Sequence, residues 1–263
     1  MRHMIETEHH LCPACGAPSH AGHLSSCVVS ELEREKSDIE RVTTTSLAIV
    51  QRLEQAIGDS ISADTLQTDR AKAMTAALES IWPEHEKGGQ TFFRIDAIDP
   101  ALDGLRMMLA PRSYGGALKD HVRDFRYIRL GVGSVIDAST PEEIIEARLK
   151  IGQIIVHEME HTLAYGDDDP SGGEDPESRQ RYFSNPGEKR AFAKMFAYKF
   201  VQLHPGIPFD METFAPSIDP AKGDHWYFVY ALQGDDIERK KIVMDVVAMT
   251  TWYVNHFREL GRD

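Results

Sequence analysis

A five-residue segment, HEMEH at positions 157–161, contains the side chains that are best suited to chemistry in this chain. It has the pattern His-Glu-x-x-His and lies within a run of apolar residues that predicts an α-helix. Because an α-helix turns once in 3.6 residues, His157 and His161 share one face and both imidazoles can bind the same ion. Zinc suits such a pair, and the neighbouring Glu158 can take a proton from a water molecule. The motif therefore predicts a zinc site with a general base.

A catalytic zinc ion needs a third protein ligand, and Glu188 in the segment SNPGEKRAFAKMFA is the first choice. It begins a second predicted helix on the side of the apolar residues, where a carboxylate requires a partner. The same residues also allow a capping box, in which Asn185 caps the helix and Glu188 reaches back to the cap amide. The other candidates for the third ligand are acidic residues between the two helices and two later histidines: Glu174, Asp175, Glu177, His204 and His225.

Peptide-bond hydrolysis is the reaction expected of such a site, with Glu158 as the general base. The negative charge that develops on the carbonyl oxygen then needs a hydrogen-bond donor. The sequence offers His225, Tyr227 and Tyr230 in the aromatic run HWYFVY, and Tyr182 before the second helix. Each of these side chains remains a candidate, because an aromatic residue or a histidine serves equally well in packing or at the surface.

All three cysteines of the chain, Cys12, Cys15 and Cys27, lie within the first 27 residues. An odd number of clustered cysteines cannot close a set of disulfides, and their spacing is typical of a small zinc knuckle or ribbon. His23 or His20 would complete a Cys3His site, and His23 is preferred because it forms a compact half-site with Cys27. A structural zinc ion is therefore predicted here. The alternative is an N-terminal segment whose thiols bind no metal.

The segment from His157 to His161 resembles the active-site helix of the zincin metallopeptidases. Glu188 on a following helix, with Ala191 one turn later, is similar to the gluzincin arrangement and to prophage-type regulatory peptidases. This resemblance implies an α+β, zincin-like metallopeptidase domain with a small antiparallel sheet and active-site helices, with zinc as the cofactor and a protein or peptide as the substrate.

One residue departs from the zincin pattern: Glu160 stands at the second variable position of the motif, which is usually uncharged in that family. We expect it to face solvent or a nearby cation. A non-catalytic, zinc-stabilised protein-binding adaptor or regulator is the alternative function. The two functions differ at Glu158, because a structural zinc site has no need of a general base.

The composition is that of a globular protein and limits the partners. The chain has 263 residues, of which 41% are hydrophobic and 27% are charged, which suffices for a sizeable core. Lys and Arg number 29 against 42 Asp and Glu, and the net charge of −13 disfavours nucleic acid or an anionic membrane as a partner. No apolar run of membrane-spanning length occurs, and the opening MRHMIETEHH lacks the features of a signal peptide, so we expect a cytoplasmic location.

The elements that must position these residues follow from the hydrophobic periodicity. Thr140, Pro141 and Glu143 form an N-terminal helix signature ahead of the zinc-binding motif. Helices are predicted over 30–57, 63–82, 140–163, 186–203 and 242–260. Strands, taken as antiparallel, are predicted over 91–99, 105–111 and 127–137. We expect a zinc-binding module at 1–29, a connecting helix at 30–59 and the zincin-like domain at 60–263.

Overall fold

The part of the chain that the structure describes forms a mostly helical α+β arrangement with one small sheet. The computed structural model describes residues 27–61, 66–81, 84–87, 90–95, 105–110, 116–120, 125–164, 181–182, 184–210 and 237–261. Its helices are α1 (Val28–Arg34), α2 (Lys36–Ser60), α3 (Gln67–Ile81), α4 (Gly133–Asp137), α5 (Pro141–Ala164), α6 (Pro186–Leu203) and α7 (Ile237–Leu260). Its strands are β1 (Glu84–Lys87), β2 (Gln90–Arg94), β3 (Arg106–Ala110), β4 (Gly116–Asp120) and β5 (Phe125–Gly131).

The predicted helices are confirmed, with one interruption, and the last of them begins at Ile237, five residues before its predicted start. The segment 30–57 is divided into α1 and α2 at Glu35, which ends the first helix and precedes the second. The capping signature of α5 is also confirmed. The backbone N–H of Glu143 donates to Thr140 Oγ1, and the N–H of Thr140 donates to Glu143 Oε2, each over 3.2 Å. This reciprocal pair fixes the start of the helix that carries the HEMEH segment.

The sheet is mixed, so the prediction that it is antiparallel is wrong for one pair of strands. The strand order is β1-β2-β3-β5-β4, and β3 pairs with β5 in parallel, with Met107 opposite Ile128 and Leu109 opposite Leu130. The other neighbouring strands are antiparallel. Alternating apolar residues indicate which face of a strand is buried, but they do not indicate which strand lies beside it.

The strand predicted over 127–137 ends early, because its last five residues form α4. Arg70 of α3, only 3% exposed, explains this difference. Its guanidinium group donates to the carbonyl oxygens of Val135 and Ile136 over 3.3 Å and also to that of Ala138. These are carbonyls that the end of a helix leaves without backbone partners. The cation that satisfies them is distant in sequence, so local periodicity does not reveal it.

The helices pack around α6, which lies between α5 and α7 and is buried along most of its length. Helix α5 also contacts α2 and the sheet. The largest buried cluster joins apolar residues from these helices and from the strands, among them Leu53, Met107, Ile155, Phe196 and Tyr253. Both helices that carry the predicted zinc ligands are therefore central elements of the core. Among the described helices, none is both long enough and apolar enough to cross a membrane.

The backbone of α5 packs closely against the Tyr198 side chain of α6 at Gly152. A Cβ atom added there would lie 2.5 Å from the Tyr198 hydroxyl oxygen and 2.8 Å from its Cε1 atom. Tyr198 cannot easily move away, because its hydroxyl donates to Glu54 Oε1 of α2 over 3.3 Å and its ring is buried. Burial and then the Glu54 carboxylate raise the pKa of this hydroxyl well above its ordinary value, so it remains a donor.

We predict that Gly152→Ala destabilises the protein. Overpacking of a buried contact costs about 1–3 kcal/mol, which exceeds the gain of up to about 1 kcal/mol in helix propensity. Gly58→Ala in α2 is the matched control, because its Cβ would lie 3.5 Å from the nearest atom of Arg148. Urea unfolding should show a lower free energy for the Gly152 variant and an equal or higher one for the Gly58 variant. Equal effects of the two substitutions would contradict the close approach of the helices.

Candidate metal centre

Three side chains from α5 and α6 converge on one point. His157 and His161 lie one turn apart in the last part of α5, and Glu188 lies in the first turn of α6. The two Nε2 atoms are 3.2 Å apart. Glu188 Oε1 is 3.4 Å from the Nε2 atom of His161, and Glu188 Oε2 is 3.8 Å from that of His157. These ligand atoms all lie within 4.8 Å of one another.

This donor set fits a zinc ion. Zinc binds imidazole nitrogen and carboxylate oxygen at about 2.0–2.2 Å in a tetrahedron, whose ligand atoms are then about 3.3 Å apart. The two imidazole nitrogens are 3.2 Å apart, and each has one oxygen of Glu188 near this distance, Oε1 at 3.4 Å from His161 and Oε2 at 3.8 Å from His157. Two histidines and one glutamate are also a set that catalytic zinc sites use, with the fourth position left to water or substrate.

The environment keeps His157 neutral, as metal binding requires. Burial lowers its pKa well below the ordinary value of 6.5, and the neighbouring His161 lowers it further, while the backbone of Ala191 opposes these effects. The ring of Phe192 on α6 packs edge-on against the His157 ring, with the ring centres 4.7 Å apart. The imidazole is thus held in a buried site between the two helices, where its lowered pKa leaves little competition from protons at pH 7.

Glu188 faces the imidazoles and does not close a capping box. Asn185 caps α6, since its Oδ1 atom accepts hydrogen bonds from the N–H groups of Gly187 and Glu188. The N–H of Asn185 donates to the carbonyls of Arg181 and Tyr182. The Glu188 carboxylate, with the residue only 2% exposed, lies against the two histidines. The positive end of the helix dipole favours its negative charge.

The other candidates for the third ligand differ in position. His204 follows the last residue of α6, and at 1.5 Å per residue it lies about 24 Å along the axis from Glu188. It cannot bind an ion together with the two histidines of α5. Glu174, Asp175, Glu177 and His225 lie outside the described residues.

Only some of the residues predicted to take part in catalysis lie in the described part of the chain. Glu158 is buried and follows His157 directly on α5. Tyr182 is half-buried, and the centre of its ring is 6.2 Å from that of Phe192, the residue that contacts His157. His225, Tyr227 and Tyr230 lie outside the described residues. Tyr182 is therefore the oxyanion candidate that the structure brings to this side of the two helices.

Of the four residues predicted for the N-terminal zinc site, only Cys27 is described. It is buried immediately before α1, in a small apolar cluster with Val29 and with Ala248 of α7, and Trp252 packs against this cluster. Cys12, Cys15 and His23, like the alternative His20, lie outside the described residues. The structural zinc site therefore stays a prediction.

Two cations beside the site were missed from the sequence. Arg190 and Lys194 of α6 are buried and form ion pairs with Glu160 of α5, so the expectation that Glu160 faces a cation is confirmed and exposure to solvent is not found. Burial raises the pKa of Glu160, but Lys194 and then Arg190 lower it more, and the net pKa lies below its ordinary value. A usable signal was present, because two cations four residues apart in an apolar helix require a buried anion.

Comparison of the chain with protein-family models, with curated proteins and with solved structures finds no match. What the site can do is therefore argued from its own atoms. The distances, burial and donor types of His157, His161 and Glu188 are the observations that carry this argument.

We predict that Glu188→Gln weakens zinc binding by at least about 100-fold, since even residues outside the ligand set change metal affinity by about 10–100-fold. Asn185→Ala is the matched control. It removes the helix cap at a cost of about 1 kcal/mol in stability but leaves the three ligands in place. Zinc affinity is measured by competition with a chromophoric chelator. If Asn185→Ala weakens zinc binding as much as Glu188→Gln does, the carboxylate is not a ligand.

Proposed function

We propose that this protein is a zinc-dependent peptidase of the zincin type, which hydrolyses peptide bonds in a protein or peptide substrate. The observation that carries the proposal is the convergence of His157, His161 and Glu188 at distances that suit tetrahedral zinc. The position of Glu158, buried and next to a ligand, adds a carboxylate that a purely structural site does not need. The described part of the chain contains the three proposed ligands, the proposed base and one candidate oxyanion donor, Tyr182.

In this proposal the metal ligands and Glu158 have separate roles. His157, His161 and Glu188 would hold the zinc ion, which when bound would supply Lewis acidity and lower the pKa of a water molecule towards 7. Glu158 accepts the proton of the attacking water at its carboxylate and later delivers it to the nitrogen of the leaving amine. Burial of the site excludes bulk water, which strengthens each of these electrostatic interactions.

Stabilisation of the developing oxyanion is assigned to a hydrogen-bond donor near the site. Tyr182 is the described candidate, since its ring contacts that of Phe192, which in turn packs against His157. A phenol keeps its proton at neutral pH and can donate it in a hydrogen bond to the carbonyl oxygen. His225 and Tyr227 remain alternatives for the same role.

We predict that Glu158→Gln retains zinc but lowers hydrolysis by about 10²–10⁴-fold, because it removes the base while leaving the ligands in place. Glu142→Gln, at an exposed position in the first turn of the same helix, is the matched control. Cleavage of a pool of unstructured peptides is followed by mass spectrometry, and zinc content is measured in parallel. Unchanged cleavage by the Glu158 variant, or a zinc-loaded protein that cleaves nothing in the pool, would favour the non-catalytic adaptor.

A second prediction concerns the number of zinc ions. Protein purified without chelator should contain two zinc ions per chain, because the two ligand sets share no residue. Cys12→Ser should reduce this number to one, and so should His157→Ala. Elemental analysis of the three proteins makes the comparison. One zinc ion per chain, unchanged by Cys12→Ser, would show that the N-terminal cysteines do not form a zinc site.

A further inference from the structure

Glu160 lies inside the HEMEH segment, directly before His161, and is fully buried at 0% exposure. Its Oε2 atom is 2.8 Å from the Nζ atom of Lys194, which is also 0% exposed. Its Oε1 atom is 3.1 Å from the Nη2 atom of Arg190. One carboxylate of α5 therefore binds two buried cations of α6.

The same cluster extends to the junction of α1 and α2. The Nη1 atom of Arg190 is 2.5 Å from Glu35 Oε2, in a side chain that is half exposed. The four groups carry two positive and two negative charges, so the cluster is neutral as a whole. Lys194 also lies 5.9 Å from the centre of the Tyr253 ring on α7. The cluster thus fixes α6 against its neighbours without placing net charge beside the metal ligands.

These ion pairs join the segments of α5 and α6 that hold the predicted ligands, with Lys194 six residues beyond Glu188 on α6. Glu160 is flanked on α5 by His157 and His161, and Arg190 follows Glu188 by two residues on α6. A shift of α5 along α6 would therefore change the ligand separations, which lie between 3.2 and 3.8 Å. Metal sites tolerate deviations of only about 0.2 Å in each bond to the ion.

We propose that Glu160 is a positioning residue that holds α5 and α6 in the register at which Glu188 meets the two imidazoles, and thereby sets the affinity for the metal. This inference rests on the proposed metal site. A charge-assisted hydrogen bond from Lys194 and an ion pair with Arg190 hold the carboxylate at two points and constrain both sliding and rotation of the helices. Apolar contacts are not directional and constrain the register less.

Stability alone does not account for such a cluster. Desolvation of buried charges offsets much of their attraction, and replacement of a buried ion pair by apolar residues of similar volume is often neutral or stabilising. The replacement can therefore separate the two roles. In a folded variant without the ion pair, the zinc affinity measures the effect on helix register. The free energy of unfolding measures the effect on stability.

The test uses the double variant Glu160→Leu/Lys194→Met in the full-length chain, with Cys12→Ser in every protein so that one zinc site is measured. Arg190 retains Glu35 as its partner in this variant. We expect the variant to remain folded and to bind zinc about 10–100-fold more weakly, the range found when a residue that orients metal ligands is replaced. Zinc is titrated in competition with a chromophoric chelator, and circular dichroism and urea unfolding report on the fold.

The matched control is Lys189→Met/Asp245→Leu, which removes another ion pair of α6. The Lys189 ammonium lies 2.7 Å from Asp245, and this pair joins α6 to α7 instead of α5. We expect the control variant to bind zinc within about threefold of the unmodified protein. Substitution with Co²⁺ gives a second measure, because its visible absorption spectrum should show loss of a ligand in the Glu160 variant only.

Each outcome has a distinct meaning. If the unmodified protein binds no zinc at this site, the proposed function fails and the positioning role fails with it. If the unmodified protein binds zinc and the folded Glu160→Leu/Lys194→Met variant binds it equally well, only the positioning role is overturned. Should that variant not fold, the same titration is made with Glu160→Gln, which keeps the volume of the side chain. An unchanged affinity there overturns the proposal equally.

Discussion

The antiparallel contact between α5 and α6 is the constraint on which the rest of the site depends. Gly152 of α5 meets Tyr198 near the C-terminal end of α6, and His161 meets Glu188 near its N-terminal end. Nine residues separate the two contacts on α5, which is about 14 Å of helix. A steric contact at one end and the ligand set at the other require the same register of the two helices. An error in that register at either end would therefore appear at both.

Electrostatics and packing are coupled along this contact. His157, whose pKa is lowered by burial, and Glu188 lie in a buried region where isolated charges are costly. Nearby, Glu160 is balanced by Lys194 and Arg190. A divalent cation between the histidines and Glu188 therefore meets a favourable carboxylate and a neighbouring cluster of zero net charge.

The sequence predicted the local features well and the long-range partners poorly. The helices and the cap of α5 depend on spacing within a few residues, and these were confirmed, whereas the parallel pairing of β3 with β5 was not foreseen. The same limit applied to the site. The HEMEH spacing and the apolar run after Glu188 led to residues that do converge, but no local pattern paired Arg70 with α4 or Lys194 with Glu160. Such partners are set by the tertiary fold.

The position of Glu160 shows why the surroundings of α5 matter more than the motif alone. A charged residue in an amphipathic surface helix is normally assigned to the solvent side. In this fold α5 is covered by α2, by α6 and by the sheet, so that side is not available to Glu160. The carboxylate must therefore be satisfied within the core, and the core supplies Arg190 and Lys194 on the helix that also carries Glu188. The departure from the usual zincin pattern and the unusual cations of α6 are, on this account, two halves of one interaction.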